Sequence, residues 1–194
     1  MPTSRPPLTI EHVLLGLLVP APLHAYEIYR TLRQQPALAA IWHLKQSHCY
    51  ALLARLEAEA YLSGHTEAQG ARPPRRVLAL TPTGQYAFAA WCTAPVTHAR
   101  DLRQEFLAKL YFVFGDPSAR TQLVRAQLAV ISARIDALEA RADTLDPQSF
   151  DHALLRFRLG QLDAVLAWLD TLDARQAAPP LRVGEGAGGE VGEV

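Results

Sequence analysis

Residues 47 to 65, SHCYALLARLEAEAYLSGH, carry two faces of different character. Cys49, Leu52, Leu53, Leu56 and Ala60 recur at i, i+3, i+4, i+7 and i+11, the stripe of an amphipathic helix turned toward a core. The opposite face holds Ser47, His48, Tyr50, Ala51, Ala54 and Arg55. That set is too small for a second core face and too sparsely charged for an ordinary solvent face. Its neighbours in the chain decide what such a face is for.

Upstream, TIEHVLLGLLV places Ile10, Val13, Leu14, Leu17 and Leu18 on one helical face, with Thr9 as the N-cap and Pro20 and Pro22 as the stop. HAYEIYRTLRQ repeats the pattern with Ala25, Ile28, Tyr29 and Leu32, and Pro36 closes it. Downstream, residues 61–65 and 76–80 read as short strands separated by the basic turn segment QGARPPRR. Thr81-Pro82 then supplies an N-cap and a proline at the first helical position, starting a helix that runs to Pro95. Three helices followed by a two-stranded hairpin is the order of a winged helix-turn-helix, in which two helices support a third whose far side is free for a groove.

Beyond Pro95 the pattern is helical throughout. Residues 97–114 predict one helix from Thr97, with Leu102, Phe106, Leu110 and Val113 inward. Asp116-Pro117 and Asp146-Pro147 predict two further helix starts. Val124, Leu128, Ile131, Ile135, Leu138, Ala142 and Leu145 form a heptad seam, answered by Leu155, Leu159, Leu162, Leu166 and Leu169, so the two helices fold back as an antiparallel hairpin. Leu123, Val130, Phe157, Val165, Trp168 and Leu172 lie off the seam and exceed what two helices can hide, which calls for a second copy packed on these C-terminal helices. The expected architecture is mainly α: a winged-helix unit over 8–94, a helical dimerisation unit over 97–175 and a disordered tail over 176–194.

Composition narrows the chemistry. Residues 1–94 hold eight Lys/Arg against five Asp/Glu and residues 95–194 eleven against fourteen, so the basic surplus of the first half is small and only its placement can argue for nucleic acid. No apolar run approaches the roughly 20 residues of a membrane span and no charged-then-apolar leader opens the chain, so a cytoplasmic protein without a membrane partner is expected. Cys49 and Cys92 fall inside helical patterns without metal-ligand spacing and read as buried thiols. The seven histidines are scattered and no nucleophile or phosphate-loop motif occurs, so catalytic residues, metal and cofactor are all assigned as none.

The residues fit for double-stranded DNA are grouped. Lys45, Gln46, Ser47 and His48 stand where the N-terminal end of a reading helix meets base edges. Tyr50 and Arg55 suit phosphates, while Ala51 and Ala54 let the helix lie deep in a groove. Arg72, Arg75 and Arg76, stiffened by Pro73 and Pro74, form a basic wing. Arg30 and Arg33 are weaker candidates for backbone contacts, Tyr26 suits either packing or phosphate, and Trp42 reads as a packing anchor.

Taken in order, LLGLLVPAPLHAYEI (14–28), CYALLARLEAEAYL (49–62) and ARPPRRVLALTPTG (71–84) resemble the N-terminal domain of PadR-family transcriptional regulators. RQEFLAKLYF (103–112) is similar to the start of the helical C-terminal region of the longer members. The resemblance implies a homodimeric DNA-binding repressor, with Tyr50 and Arg55 on the reading helix and Arg72, Arg75 and Arg76 on the wing in contact with DNA. Some members answer to phenolic acids, so Phe106, Tyr111, Phe112 and Phe114 are candidates to line a site for a small aromatic effector, with core packing as the competing reading. Ala25, Ala60 and Leu78 depart from the family's glycine, glycine and aromatic. Without glycine at 60 the reading helix is expected to run on by a turn. A winged-helix protein-interaction module without DNA binding is the alternative that the small basic surplus permits.

Overall fold

The computed structural model describes residues 7–69 and 72–177. In chain order these form α1 (Thr9–Leu17), β1 (Leu23–His24), α2 (Ala25–Gln34), α3 (Pro36–Ile41), α4 (Gln46–Ala58), β2 (Leu62–Gln69), β3 (Arg72–Leu80), α5 (Pro82–Thr93), a 3-10 turn (Ala99–Arg103), α6 (Glu105–Val113), α7 (Pro117–Ala142) and α8 (Phe150–Ala177). The fold is mainly helical: the first helices carry a three-stranded antiparallel wing of order β1-β3-β2, and α7 and α8 form a long hairpin. Gly70, Ala71, the side chain of Arg72 and residues 178–194 of the expected tail lie outside the described residues.

Most of each expected stripe is buried; Ala60 is exposed, and Ala25, Tyr29, Leu128, Leu145 and Leu166 are half-buried. Val13, Leu14, Ile28, Cys49, Leu53 and Leu56 are each 2% exposed or less and join one continuous core with the seam residues of α7 and α8. Burial pushes the Cys49 thiol up to about 11 and the Cys92 thiol to about 12, with the Lys109 charge partly opposing the latter, so neither is a ready nucleophile. Asp116 caps α7, its carboxylate accepting from the backbone of Ser118 (2.9 Å) and Ala119 (3.1 Å).

Several boundaries differ from the sequence reading. Pro36 does not simply end a helix; it occupies the first turn of α3, where a missing N–H costs nothing. Thr9 lies inside α1 behind the cap residue Leu8, and its hydroxyl donates 3.0 Å to Glu105 instead. The continuous helix expected from Thr97 is split into the 3-10 turn and α6, and α8 starts at Phe150, not at Asp146-Pro147. Ser149 accepts there from the His152 backbone at 3.2 Å, while Asp146 accepts from Gln148 within the preceding turn.

A buried polar junction joins the two halves. Lys109, 2% exposed, pairs with Glu105 at 2.7 Å, donates 2.9 Å to the Ala94 carbonyl at the end of α5, and lies 5.3 Å from the centre of the Trp91 ring. Burial alone would raise the Glu105 carboxyl, but the Lys109 ammonium and donors from Thr9 and Trp91 bring it below the ordinary carboxylate value. Gln127 of α7, fully buried, clasps the connecting segment by accepting from the Val96 N–H at 2.8 Å and donating to its carbonyl at 3.0 Å. Glu105 and Lys109 come from α6 and Gln127 from α7, so helices of the second half grip the last helix and connecting segment of the first.

Candidate nucleic-acid interface

Helix α4 rests its Cys49, Leu52, Leu53 and Leu56 stripe on the core and turns the other side outward. Lys45, Gln46, Ser47, His48, Ala51, Ala54 and Ala58 are all exposed, and Tyr50 is 37% exposed. Gln46 donates 3.0 Å to the Tyr50 hydroxyl, so the first turn presents a pre-ordered polar pair. Lys45, the cap residue, makes no side-chain cap bond, leaving the positive end of the helix to the surface. A smooth alanine face with polar groups at its leading end fits a groove of complementary depth.

The end of α4 corrects the expectation at Ala60. The helix stops at Ala58, and Ala60 itself takes the left-handed conformation at φ 60°. The Tyr61 N–H donates 2.9 Å to the Leu56 carbonyl and the Ala60 N–H 3.0 Å to the Glu57 carbonyl, the paired bonds of a Schellman turn. The Thr81 hydroxyl spans the Ala60 and Tyr61 carbonyls at 2.7 and 3.1 Å and holds the turn from outside. The wing therefore leaves the helix directly.

In the wing, Leu62 pairs with Leu80, Gly64 with Leu78, Thr66 with Arg76 and Glu67 with Arg75, with a register shift between Glu67 and Gln69 opposite the proline pair. The two-residue β1, too short for any periodicity to reveal, adds Leu23 opposite Leu78 and His24 opposite Val77. The backbone of Arg72 begins β3. Arg75 is exposed and no carboxylate among the described residues pairs with it.

Two of the predicted arginines are engaged within the protein. Arg55 pairs with the fully buried Glu11 of α1 at 3.0 Å and with Glu59 at 3.0 Å, and its side chain is 26% exposed. Arg76 pairs with Glu57 of α4. Beside the wing, α2 contributes more than its sequence promised. Tyr26, Tyr29, Arg30, Arg33 and Gln34 line a cleft of about 300 Å³, and His24, Tyr26, Glu27, Arg75 and Arg76 line one of about 360 Å³. Tyr26, 56% exposed, belongs to both and carries the basic surface from α2 to the wing.

The four aromatic candidates for an effector site converge only in part: Tyr111 meets Phe112 edge-on at 5.1 Å, but the four do not line one site. Phe106 is fully buried, edge-on to Trp168 at 6.0 Å, and Phe112 packs edge-on to Phe88 at 5.2 Å. Tyr111 and Phe114 line a nearly wholly apolar cavity of about 520 Å³ with Ala37, Ala40, Ile41 and Leu110, between α3 and α6. Among the described residues no group of His, Cys, Asp and Glu could hold a metal ion, and no helix is long and apolar enough to cross a membrane.

Residues 14–90 match the family model of the transcriptional regulator PadR-like family, and residues 102–175 match that of the virulence activator alpha C-terminal region. The negative transcriptional regulator PadR of Bacillus subtilis (strain 168) is 23% identical over 174 residues, covering 84% of this chain and 94% of its own. The crystal structure of Bacillus subtilis PadR in complex with operator DNA is 22% identical, covers 87% of this chain and 99% of that one, and has a TM-score of 0.44. The same protein in complex with p-coumaric acid is 21% identical over 88% of this chain and 100% of that one, with a TM-score of 0.41. With its winged half and its helical half each matched in order, the chain belongs to the PadR-like family, as a winged helix-turn-helix DNA-binding transcriptional regulator and not an enzyme.

Proposed function

We propose that this regulator is a homodimeric, effector-responsive repressor that reads a palindromic operator in the cytoplasm through α4 and the wing. The observation that carries the reading is the exposed Ala51/Ala54 face of α4, led by its polar first turn and followed in the chain by a wing that bears the exposed Arg75. In this arrangement Lys45, Gln46, Ser47 and His48 meet base edges. Tyr50, Arg72 and Arg75 engage phosphates, supported by Arg30 and Arg33 from α2. Arg55 and Arg76 stand apart, since each guanidinium is held by a carboxylate.

The unit over 8–94 is the DNA-binding domain and that over 97–175 the dimerisation domain. Dimerisation through α7 and α8 is supported by Phe157 and Phe150, 64% and 79% exposed on α8. Charge adds to it: Arg134 of α7 and Arg158 of α8 line one cleft, and Asp163 and Asp170 are exposed further along α8. Two copies place their reading helices about 34–36 Å apart, in successive major grooves. The effector is a small aromatic whose ring is held between α3 and α6 by Tyr111 and Phe114, and it acts by favouring one angle between the DNA-binding units. Repression is supported by the name of the Bacillus subtilis relative, a negative regulator.

The test is an anisotropy titration of the protein on DNA from upstream of its own gene at two salt concentrations, with p-coumaric acid as the effector probe. Nanomolar binding that weakens steeply with salt, and release by the probe, are expected. Absent or salt-insensitive binding rejects the reading.

A further inference from the structure

We infer that Arg76 is not a DNA ligand but the strut that fixes the wing against the reading helix, with Glu57 as its anchor and Gly64 as the gap that admits it. The inference rests on the DNA-binding reading above and assigns an internal role to a residue that the sequence places on DNA. Successive side chains on a strand point to opposite faces, so Arg75 and Arg76 cannot both turn toward α4. Arg76 does, and its guanidinium meets the Glu57 carboxylate from the last turn of that helix. Its backbone is fixed as well, because the carbonyl accepts from His24 Nδ1 at 3.1 Å and the residue sits opposite Thr66.

Gly64, two residues before Thr66, is the diagonal neighbour on the same face. A Cβ there would stand 2.5 Å from Glu57 Oε1 and 2.7 Å from Arg76 Nε, so any side chain displaces the pair. The Arg76 side chain is 60% exposed, and an ion pair so open adds little to stability. Its effect is therefore positional: it joins α4, β1, β2 and β3 at one point, and it neutralises a carboxylate that would otherwise face the phosphates bare. Arg75, on the opposite face, is a wing arginine that no carboxylate among the described residues holds.

The experiment compares Glu57→Ala, Arg76→Ala, the double variant, the charge swap Glu57→Arg/Arg76→Glu, and Gly64→Ala, which keeps both charges but parts them. Operator affinity, its salt slope and deuterium exchange of residues 62–80 without DNA are measured, with thermal melting as a folding control. As a strut, each single change weakens binding about tenfold, the double variant is no worse than either single, and the swap restores affinity. The salt slope stays within about half an ion of the wild type, and wing exchange quickens and recovers in step with affinity. Tighter or unchanged binding in Glu57→Ala, a slope reduced by about 0.9 in Arg76→Ala, or a swap no better than the singles makes Arg76 a phosphate ligand and overturns the proposal. If the wild type binds no DNA, the parent reading fails, and the exchange data alone decide the strut: no quickening in either single variant rejects it.

Discussion

At Ala60 the left-handed backbone, φ 60°, is imposed on a residue with a Cβ, at a cost of about 1–2 kcal/mol. The sequence signals no stop there, because the groups that enforce one lie twenty residues on, in the Thr81 hydroxyl. Ala60→Gly should raise stability by about 1 kcal/mol, less the extra entropy glycine gives the unfolded chain. A denaturant midpoint that is unchanged or lower would show the turn to be unstrained. His12 is the second residue whose surroundings set its behaviour. Stacked on Trp91 at 5.0 Å, it is lowered by burial from 6.5 to about 4; Glu105 pulls it up and Lys109 adds to the fall. The folded state thus keeps the ring neutral while the unfolded chain protonates near 6.5. Stability is whole above that pH and declines toward pH 4, by up to about 3 kcal/mol. Denaturant titrations should find the protein about 2 kcal/mol weaker at pH 5 than at pH 7. His12→Phe, which keeps a ring on Trp91, should flatten that difference; an unaltered difference would place the titrating group elsewhere.

At the scale of elements, what was legible follows from length and period. α1, α2, α4, α7 and α8 repeat an apolar stripe over two or more turns, and most of the marked residues are buried; the spacing missed Leu15 and Gln127, and Leu123, read as surplus to the seam, is fully buried. The β2–β3 hairpin was legible, but its strands run on through most of the segment read as the turn, to Gln69 and from Arg72, while the starts of α5 and α7 were legible from their Thr-Pro and Asp-Pro caps. α3 and β1 were not, because six residues and two residues are too short to show a period, and each owes its conformation to the partner it packs on or pairs with. The split of 97–114 has the same origin: one apolar face persists across the 3-10 turn and α6, so periodicity alone cannot see the break. The candidate site divides likewise. Exposed positions on α4 were readable from one helix, whereas the pairing of Arg55 with Glu11 and of Arg76 with Glu57 needs residues 44 and 19 positions away. The aromatic segment 106–114 was readable as aromatic but not as divided, since Phe106 faces α8 while Tyr111 and Phe114 face α3.

At the scale of the whole molecule, the buried junction of Glu105, Lys109 and Gln127 ties the reading unit to the helical hairpin, so in the proposed dimer the arrangement of the hairpins would set that of the reading units. The exposed Phe157 lies on α8, the surface proposed to meet a second copy. Phe157→Glu should leave the helical content intact and convert the dimer to a monomer in light scattering, with operator affinity falling because the two half-sites are no longer linked. An unchanged dimer would move the interface off this face. If the alanine face of α4 enters a DNA groove, as proposed, the operator affinity of Ala51→Glu/Ala54→Glu reads it out. Both positions are exposed, so melting and dimer mass should not change. Two carboxylates pressed toward phosphates should cost several kcal/mol, more than about 100-fold in affinity. Wild-type affinity in that variant would contradict the account.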